Sequence, residues 1–188
     1  MASRGGVAGS AWGVSGDAWE VVATAPLRVH IVGCGRWSMS DDRAGLIIAE
    51  RLQNACADLG AIVASEDPVD ALTDPAIAQT DLLIVVDASP ATDSHPIGTF
   101  QRIDYRARRE AIGKNRRGDT HTLSVETALE LAEALGLLPP RVWIYVIFGT
   151  DFERGLALSD RVAAGVDGLV KRIEHDLREL TAACPCTS

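Results

Sequence analysis

Three side chains that could bind a divalent metal stand out in this sequence: Asp42, Asp87 and His121. Asp42 is the second of two adjacent acids that follow a glycine turn. Asp87 ends an unbroken apolar run, and His121 directly precedes an amphipathic helical pattern. Two carboxylates and one imidazole form a mixed oxygen and nitrogen set, which suits a borderline ion such as Ni²⁺ or Zn²⁺ with open positions. The three residues lie far apart in the sequence, so their spacing alone leaves them a candidate site.

Each of these residues also has a structural interpretation. Asp41 and Asp42 are favourably placed by the dipole of the helix that follows them. Asp87 could cap the next loop, although an acid after a buried strand is costly to desolvate unless it is paired, hydrogen-bonded or metal-bound. His121 could face solvent while a neighbouring threonine caps the helix. The residues taken one at a time leave these alternatives open.

The glycine turn Gly33-Cys34-Gly35 is not a phosphate-binding loop. Position 38 is a serine where a dinucleotide fingerprint has its third glycine, and no Lys-Ser or Lys-Thr pair follows. Two acids at the start of the next helix would also repel a phosphate. A nucleotide-binding α/β protein is therefore disfavoured. No serine or cysteine has a convincing base partner either, which argues against a covalent nucleophile, and Cys34 is expected to be a small residue at a strand end.

Strand and helix patterns alternate along the chain. Apolar runs typical of buried strands lie at 27–32, 61–64, 82–86 and 142–148, with an edge strand at 99–103. Helical patterns lie at 44–59 (capped by Gly60), at 122–135 (closed by Gly136), and from the N-cap Ser159 to about residue 180, with a weak turn at 74–79. The alternation predicts an α/β protein: a single three-layer domain with a twisted, mostly parallel sheet and helices on both faces. Functional groups gather at the carboxyl edge of such sheets, and the strands before Asp42 and Asp87 could be neighbours there.

Length and composition set the class of protein. The 188 residues, 47% of them apolar and 23% charged, indicate one globular domain at 27–181. We interpret 1–26 as a disordered extension and 182–188 as a flexible tail. No apolar run is long enough to span a membrane, and the net charge of −8 argues against binding nucleic acid or an anionic membrane. The four cysteines lack disulfide-framework spacing, which predicts a reducing, cytoplasmic location.

Several ordered motifs resemble those of one family, the hydrogenase maturation proteases, over about residues 27–180. Gly33-Cys-Gly followed by Asp41-Asp42 resembles that family's Gly-x-Gly-Asn and Asp-Asp/Glu-Gly elements. The run 82–88 resembles the strand that ends in the second acid, and His121 resembles the histidine of a Ser-His-x segment. The segment 152–159 resembles a Gly-Leu-x-Leu-Ser lead into the last helix.

The resemblance implies a phosphorylase/hydrolase-like α/β fold and an endopeptidase. Its activity would remove the C-terminal extension of a nickel-iron hydrogenase large-subunit precursor after nickel insertion. Asp42, Asp87 and His121 would be both the catalytic and the metal-contacting residues. No cofactor would be tightly bound: the Ni²⁺ would come with the substrate, and Zn²⁺ or Cd²⁺ could occupy the same site.

The sequence departs from the family motif at three places. Arg36 stands in place of the asparagine, Arg43 in place of the glycine after the acids, and 65–70 in place of a Gly-Thr-x-Gly segment. Two cations beside Asp42 would favour its ionised form and compete with an incoming metal ion. The departures keep an alternative open: a catalytically inactive or divergent binding module, or chaperone, that recognises a metal-loaded hydrogenase subunit.

A basic stretch runs from residue 102 to residue 117. It holds seven basic residues against two acids: Arg102, Arg106, Arg108, Arg109, Lys114, Arg116 and Arg117. Charged runs are commonly solvated loops or helix faces. The alternative hypothesis is a docking surface for an acidic patch on a partner, since the stretch leads directly to His121.

Overall fold

The computed structural model describes residues 27–56, 60–111 and 122–182, and within them the predicted alternation of strands and helices is present. The strands are β1 (Val29–Cys34), β2 (Gly60–Ser65), β3 (Leu82–Pro90), β4 (Phe100–Asp104) and β5 (Arg141–Gly149). The α-helices are α1 (Ala44–Cys56), α2 (Pro68–Leu72), α3 (Tyr105–Ala111), α4 (Thr122–Ala134) and α5 (Asp160–Ala182). Two 3-10 turns, Asp41–Arg43 and Pro75–Gln79, complete the described elements.

These strands form one sheet in the order β2-β1-β3-β5-β4. The first four are parallel, and β4 pairs antiparallel with β5 at the edge. The prediction of a mostly parallel sheet with a late edge strand is confirmed. So is the prediction that the strands before Asp42 and Asp87 are neighbours, because β1 pairs directly with β3.

Helices cover both faces of the sheet, as expected for parallel strands that are apolar along their whole length. Alternate residues of β3 point to opposite faces: Ile84 and Val86 pack in the core layer under α1 and α5. Leu83 and Val85 pack in the other layer, with α2 and α4. The three-layer architecture predicted from the sequence is therefore confirmed.

Two local predictions were wrong. Gly60 does not cap the first helix: it begins β2 at φ +148°, where a side chain would overlap the carbonyl oxygen of Val29. β3 does not end at Asp87 either, since it continues to Pro90 and stays paired with β5 as far as Gly149. Asp87 is thus an interior residue of a strand that outruns its neighbour β1.

The predicted domain limits are only partly covered by the described residues. α5 reaches Ala182, one residue into the predicted tail. The remainder of that tail and the predicted extension at 1–26 lie outside the described residues. None of the helices within the described ranges is long and apolar enough to cross a membrane.

A buried carboxylate joins the edge strand to the last helix. Asp176 of α5 is 6% exposed and accepts hydrogen bonds from Tyr145 Oη at 2.7 Å, Arg102 Nη1 at 3.0 Å and Arg172 Nε at 2.9 Å. The Arg102 guanidinium also lies 4.6 Å from the centre of the Trp143 ring. Burial alone would raise the pKa of Asp176, but the hydrogen bonds and the two guanidinium charges hold it below its usual value.

Part of the basic stretch is therefore structural. Arg102 belongs to the Asp176 cluster, and Arg106 donates to the carbonyl oxygen of Pro139 at 2.7 Å while facing Glu133 at 3.9 Å. Arg108 is exposed. The side chains of Arg109, Lys114, Arg116 and Arg117 lie outside what the structure describes. The docking hypothesis loses two of its seven charges and otherwise stays a prediction.

Candidate functional site

Asp42 and Asp87 come together at the carboxyl edge of the sheet. The pairing of β1 with β3 ends at Gly33 and Val86, so Asp87 is the next residue on β3. Asp42 lies in the 3-10 turn that leads from β1 into α1. Both side chains belong to largely buried residues, with Asp42 6% and Asp87 9% exposed.

Close backbone packing between β1 and α1 brings the two acids together. A Cβ on Gly45, in the first turn of α1, would overlap the carbonyl oxygen of Cys34 and lie 2.6 Å from that of Val86. A Cβ on Gly35 would overlap the carbonyl oxygen of Asp42, and Gly35 also has a positive φ of 145°. The glycine turn is therefore required for a close approach of backbones, which places residue 42 beside the exit of β3.

The two carboxylates are electrostatically coupled. Burial, together with the nearby charge of Asp42, raises the pKa of Asp87 to about 7, against a lowering contribution from the backbone N–H of Ala88. The pKa of the Cys34 thiol is also raised well above its usual value, first by burial and then by the charges of Asp87 and Asp42. A site that penalises negative charge in this way favours either a shared proton or a bound cation.

The third candidate, His121, lies outside the described residues, so the predicted triad can be followed for two of its members only. α4 begins at the residue after His121. Because α4 leads into the amino end of β5, its first residue lies towards the carboxyl edge of the sheet. Among the described residues no group of three metal-binding side chains could hold an ion. Any third protein ligand for Asp42 and Asp87 must therefore come from another part of the chain, and the role of His121 stays a prediction.

The other acid of the adjacent pair, Asp41, has a structural role. It is fully buried and accepts four hydrogen bonds: from the backbone N–H groups of Thr150, Asp151 and Ser159, and from the Ser159 hydroxyl. Burial alone would raise the pKa of Asp41, but these donors outweigh it and hold the pKa below its usual value. Sequence reasoning assigned both acids to the helix dipole, because no local signal separates an acid that binds a distant loop from one that faces the site.

Arg43 is directed away from an incoming metal ion. Its guanidinium donates to the carbonyl oxygens of Leu156 at 2.5 Å and Gly155 at 3.1 Å. Backbone bonds join the same two loops: Gly155 N–H donates to Ser38 O at 2.9 Å and Ser40 N–H to Glu153 O at 3.0 Å. The expectation that Arg43 acts on the metal site is thus replaced by a role in holding the loop at 153–156. Arg36 is exposed.

The segment that replaces Gly-Thr-x-Gly is also tied to this turn. The backbone N–H of Trp37 donates to Glu66 Oε1 at 2.8 Å. Asp67 caps α2 by accepting from the backbone N–H groups of Val69 and Asp70. The glycine turn is therefore held from both sides, by the loop after β2 and by the loop after β5.

Comparison with known proteins places this arrangement in context. A family model described as "HycI: Hydrogenase maturation protease" matches residues 64–176, well over half of the 188 residues. This range includes Asp87 and position 121 but not Asp42, for which the coupling to Asp87 is the independent support. No curated protein matches the chain.

Several solved structures share the fold. The hydrogenase maturating endopeptidase HybD from E. coli is 21% identical, with a TM-score of 0.66 over 81% of this chain and 93% of that one. The [NiFe] hydrogenase maturation protease HybD from Thermococcus kodakarensis is 24% identical, with a TM-score of 0.61 over 79% and 98%. The maturation protease HycI from Thermococcus kodakarensis KOD1 is 22% identical, with a TM-score of 0.57 over 82% and 95%. At these identities the likeness is one of fold.

Proposed function

The chain belongs to the family of hydrogenase maturation proteases, and on that premise we propose that it is an endopeptidase acting on a nickel-iron hydrogenase large-subunit precursor. It removes the C-terminal extension of that precursor after nickel insertion. Asp42, Asp87 and His121 are the residues that contact the metal and carry the activity. The observation that supports this most is the coupling of Asp42 and Asp87 at the carboxyl edge of the sheet.

The coupled acids suit the recognition of a metal that arrives with the substrate. Without a cation, an Asp87 pKa of about 7 keeps this side chain partly protonated at neutral pH. A precursor carrying Ni²⁺ supplies the positive charge that lets both carboxylates ionise, whereas an empty precursor does not. The pair thereby distinguishes loaded from empty precursor, and Zn²⁺ or Cd²⁺ would compete for the same oxygen and nitrogen ligands.

Cleavage then follows from position. Ligation by Asp42 and Asp87 fixes the loaded precursor against the rim of the sheet, and fixed geometry can supply a large part of a rate enhancement. Polarising the scissile carbonyl or activating a water are further roles that a bound divalent ion can supply. Cys34 is unsuited to act as a nucleophile, because it is 1% exposed and its raised pKa disfavours the thiolate.

The proposal includes a reducing, cytoplasmic location and no nucleic-acid partner. Cys34 and Cys56 are both buried free thiols, which is consistent with that compartment. The net charge of −8 disfavours nucleic acid as a partner.

A non-catalytic binding module remains the alternative. Arg36 and Arg43 motivated it, and Arg43 now has another role, since its guanidinium holds the carbonyl oxygens of Gly155 and Leu156. Purified, nickel-loaded precursor separates the two functions, because a module would bind it without yielding a shortened product.

The test is a cleavage assay on that precursor with the variants Asp42→Asn, Asp87→Asn and His121→Ala. Each should fold, as judged by circular dichroism, and each should lower the cleavage rate at least about 100-fold, in line with the loss of a metal ligand. Asp167→Asn is the matched control, because Asp167 is an exposed acid on α5 paired with Arg51. Wild-type rates in all three site variants would refute the assignment.

A further inference from the structure

Two large apolar side chains are exposed on the loops beside Asp42. Leu156 is 82% exposed and Trp37 is 36% exposed. They lie on either side of one hydrogen bond, from Gly155 N–H to Ser38 O at 2.9 Å, since Trp37 precedes Ser38 and Leu156 follows Gly155. The term apolar rim is used below for Trp37 and Leu156 together.

The loops that carry the apolar rim are held in place. Met39 and Arg154 form an antiparallel bridge, and Ser40 N–H donates to Glu153 O at 3.0 Å. Arg43 adds two side-chain bonds to the carbonyl oxygens of residues 155 and 156, while its own Nε is buried without a hydrogen-bond partner. An exposed leucine on a mobile loop would need no explanation, but here a guanidinium one residue from Asp42 fixes its backbone.

We propose that the apolar rim is the docking contact for the large-subunit precursor, with Arg43 as the positioning residue that presents Leu156. The inference rests on the proposed function. A precursor whose metal reaches Asp42 must also cover the loops that flank Asp42, so its surface next to the metal is the occupant. The chemistry of the rim requires apolar side chains on that surface, because a polar surface would leave Leu156 and Trp37 in contact with unsatisfied groups.

The size of the effect can be bounded. Full burial of a leucine side chain corresponds to roughly a 10- to 100-fold change in affinity, and tryptophan is enriched among the residues that dominate interfaces. Truncating Leu156 should therefore weaken binding of the precursor by about 10-fold or more. Chemistry on the bound precursor should be unaffected, because Leu156 touches neither acid of the site.

The experiment measures cleavage of nickel-loaded precursor by Leu156→Ser, with KM and kcat determined separately. KM should rise about 10-fold with kcat unchanged, and Arg43→Lys should raise KM by a smaller factor because lysine lacks the two-pronged donor. Leu135→Ser is the matched control: Leu135 is a 57% exposed leucine just after α4, at the opposite end of the sheet, and its loss should change neither constant. Binding is measured in parallel in an Asp87→Asn background, so that cleavage does not consume the precursor.

The outcomes distinguish this inference from the proposed function. If wild-type protein cleaves the precursor and Leu156→Ser has the same KM and dissociation constant, the docking inference is overturned while the peptidase assignment stands. If Leu156→Ser lowers kcat but not KM, the rim acts in chemistry rather than docking, and the inference is again overturned. A change in the protein's own oligomeric state in Leu156→Ser, seen by analytical ultracentrifugation, would assign the rim to self-association instead. Failure of wild-type protein to cleave or bind the precursor would remove both proposals.

Discussion

Asp41 and Ser159 lie 118 residues apart in the sequence and are joined by two hydrogen bonds. Ser159 N–H donates to Asp41 Oδ1 at 2.7 Å, and the Ser159 hydroxyl donates to Asp41 Oδ2 at 3.0 Å. The contact ties the turn that carries Asp42 to the start of α5. The position of a candidate ligand is thus set by a neighbour that does no chemistry itself.

Replacing Asp41 with Asn should destabilise the protein by about 2–4 kcal/mol, the usual range for breaking a buried, hydrogen-bonded charge. Both carboxylate oxygens face donors, so the amide NH2 of asparagine must meet an N–H or O–H in either orientation. Urea denaturation at neutral pH measures the loss. Asp167→Asn, at an exposed ion pair, should change the free energy of unfolding by less than about 1 kcal/mol.

The effect of Asp41→Asn should also depend on pH. The folded-state pKa of Asp41 is lower than the unfolded value of 3.8, so its contribution to stability is complete above that value and is lost as the pH falls through the folded pKa. The difference between wild type and variant should therefore be largest at neutral pH and shrink in acid. A difference that is constant over this range would contradict the assignment of the stabilisation to the ionised carboxylate.

Asp87→Asn should have the opposite effect on the metal-free protein. The folded-state pKa of Asp87, about 7, lies above the unfolded value of 3.8, so ionising this group opposes folding as the pH rises from about 4 to about 7. At about 1.4 kcal/mol per pKa unit, the penalty above that window is on the order of 2–4 kcal/mol. The variant should melt at a higher temperature than wild type at pH 8 and show little gain at pH 5, although it has lost a ligand. Equal melting temperatures at pH 8 would show that Asp87 is not penalised.

Gly45→Ala should separate α1 from the sheet. The added methyl would overlap Cys34 O and lie 2.6 Å from Val86 O, and backbone atoms cannot move aside as a flexible side chain can. A loss of about 3 kcal/mol or more is expected from overpacking of this kind, together with loss of cleavage because Asp42 shifts with the helix. Gly136→Ala offers a contrast: nothing lies within 4 Å of its Cβ, and any loss there comes from its φ of +72° alone. Thermal unfolding and the cleavage assay together distinguish displacement of the site from simple instability.

Tyr145→Phe should weaken the attachment of α5 to the edge of the sheet. The change removes the 2.7 Å bond to the buried Asp176 and leaves that carboxylate with its two arginine partners, so a loss of about 1–2 kcal/mol is expected. Arg172→Ala should cost less, because the Arg172 side chain is 50% exposed. Denaturation with urea gives both values, and a larger loss for Arg172→Ala would contradict this ranking.

Most of the fold could be predicted from the sequence. The runs at 82–86 and 142–148 are apolar without interruption, which is typical of strands covered on both faces, and the elements β3 and β5 contain them. Helical periodicity likewise located α4 and α5. These patterns are local consequences of burial, so they can be read without knowing which strands are neighbours.

The errors arose where non-local contacts decide. Gly60 fits a helix cap by its position in the sequence, but contact with Val29 across the sheet makes it the first residue of β2. Asp87 resembled a strand end because its type changes there from apolar to acidic, but pairing with β5 carries the strand on to Pro90. Arg43 resembled a competing charge beside Asp42 until the loop at 155–156 supplied its acceptors.

The sequence by itself determined that this is an α/β protein with acids following two buried strands, because strand and helix periodicities and the placement of charge are properties of the chain. It could not divide Asp41 from Asp42, since the two are adjacent and chemically identical. Tertiary structure made that division: the donors of residues 150, 151 and 159 surround one carboxylate, whereas the other is left beside Asp87 in a buried site where their like charges interact. Hydrogen bonding and desolvation depend on what surrounds a group in space, and only the folded chain brings those surroundings together.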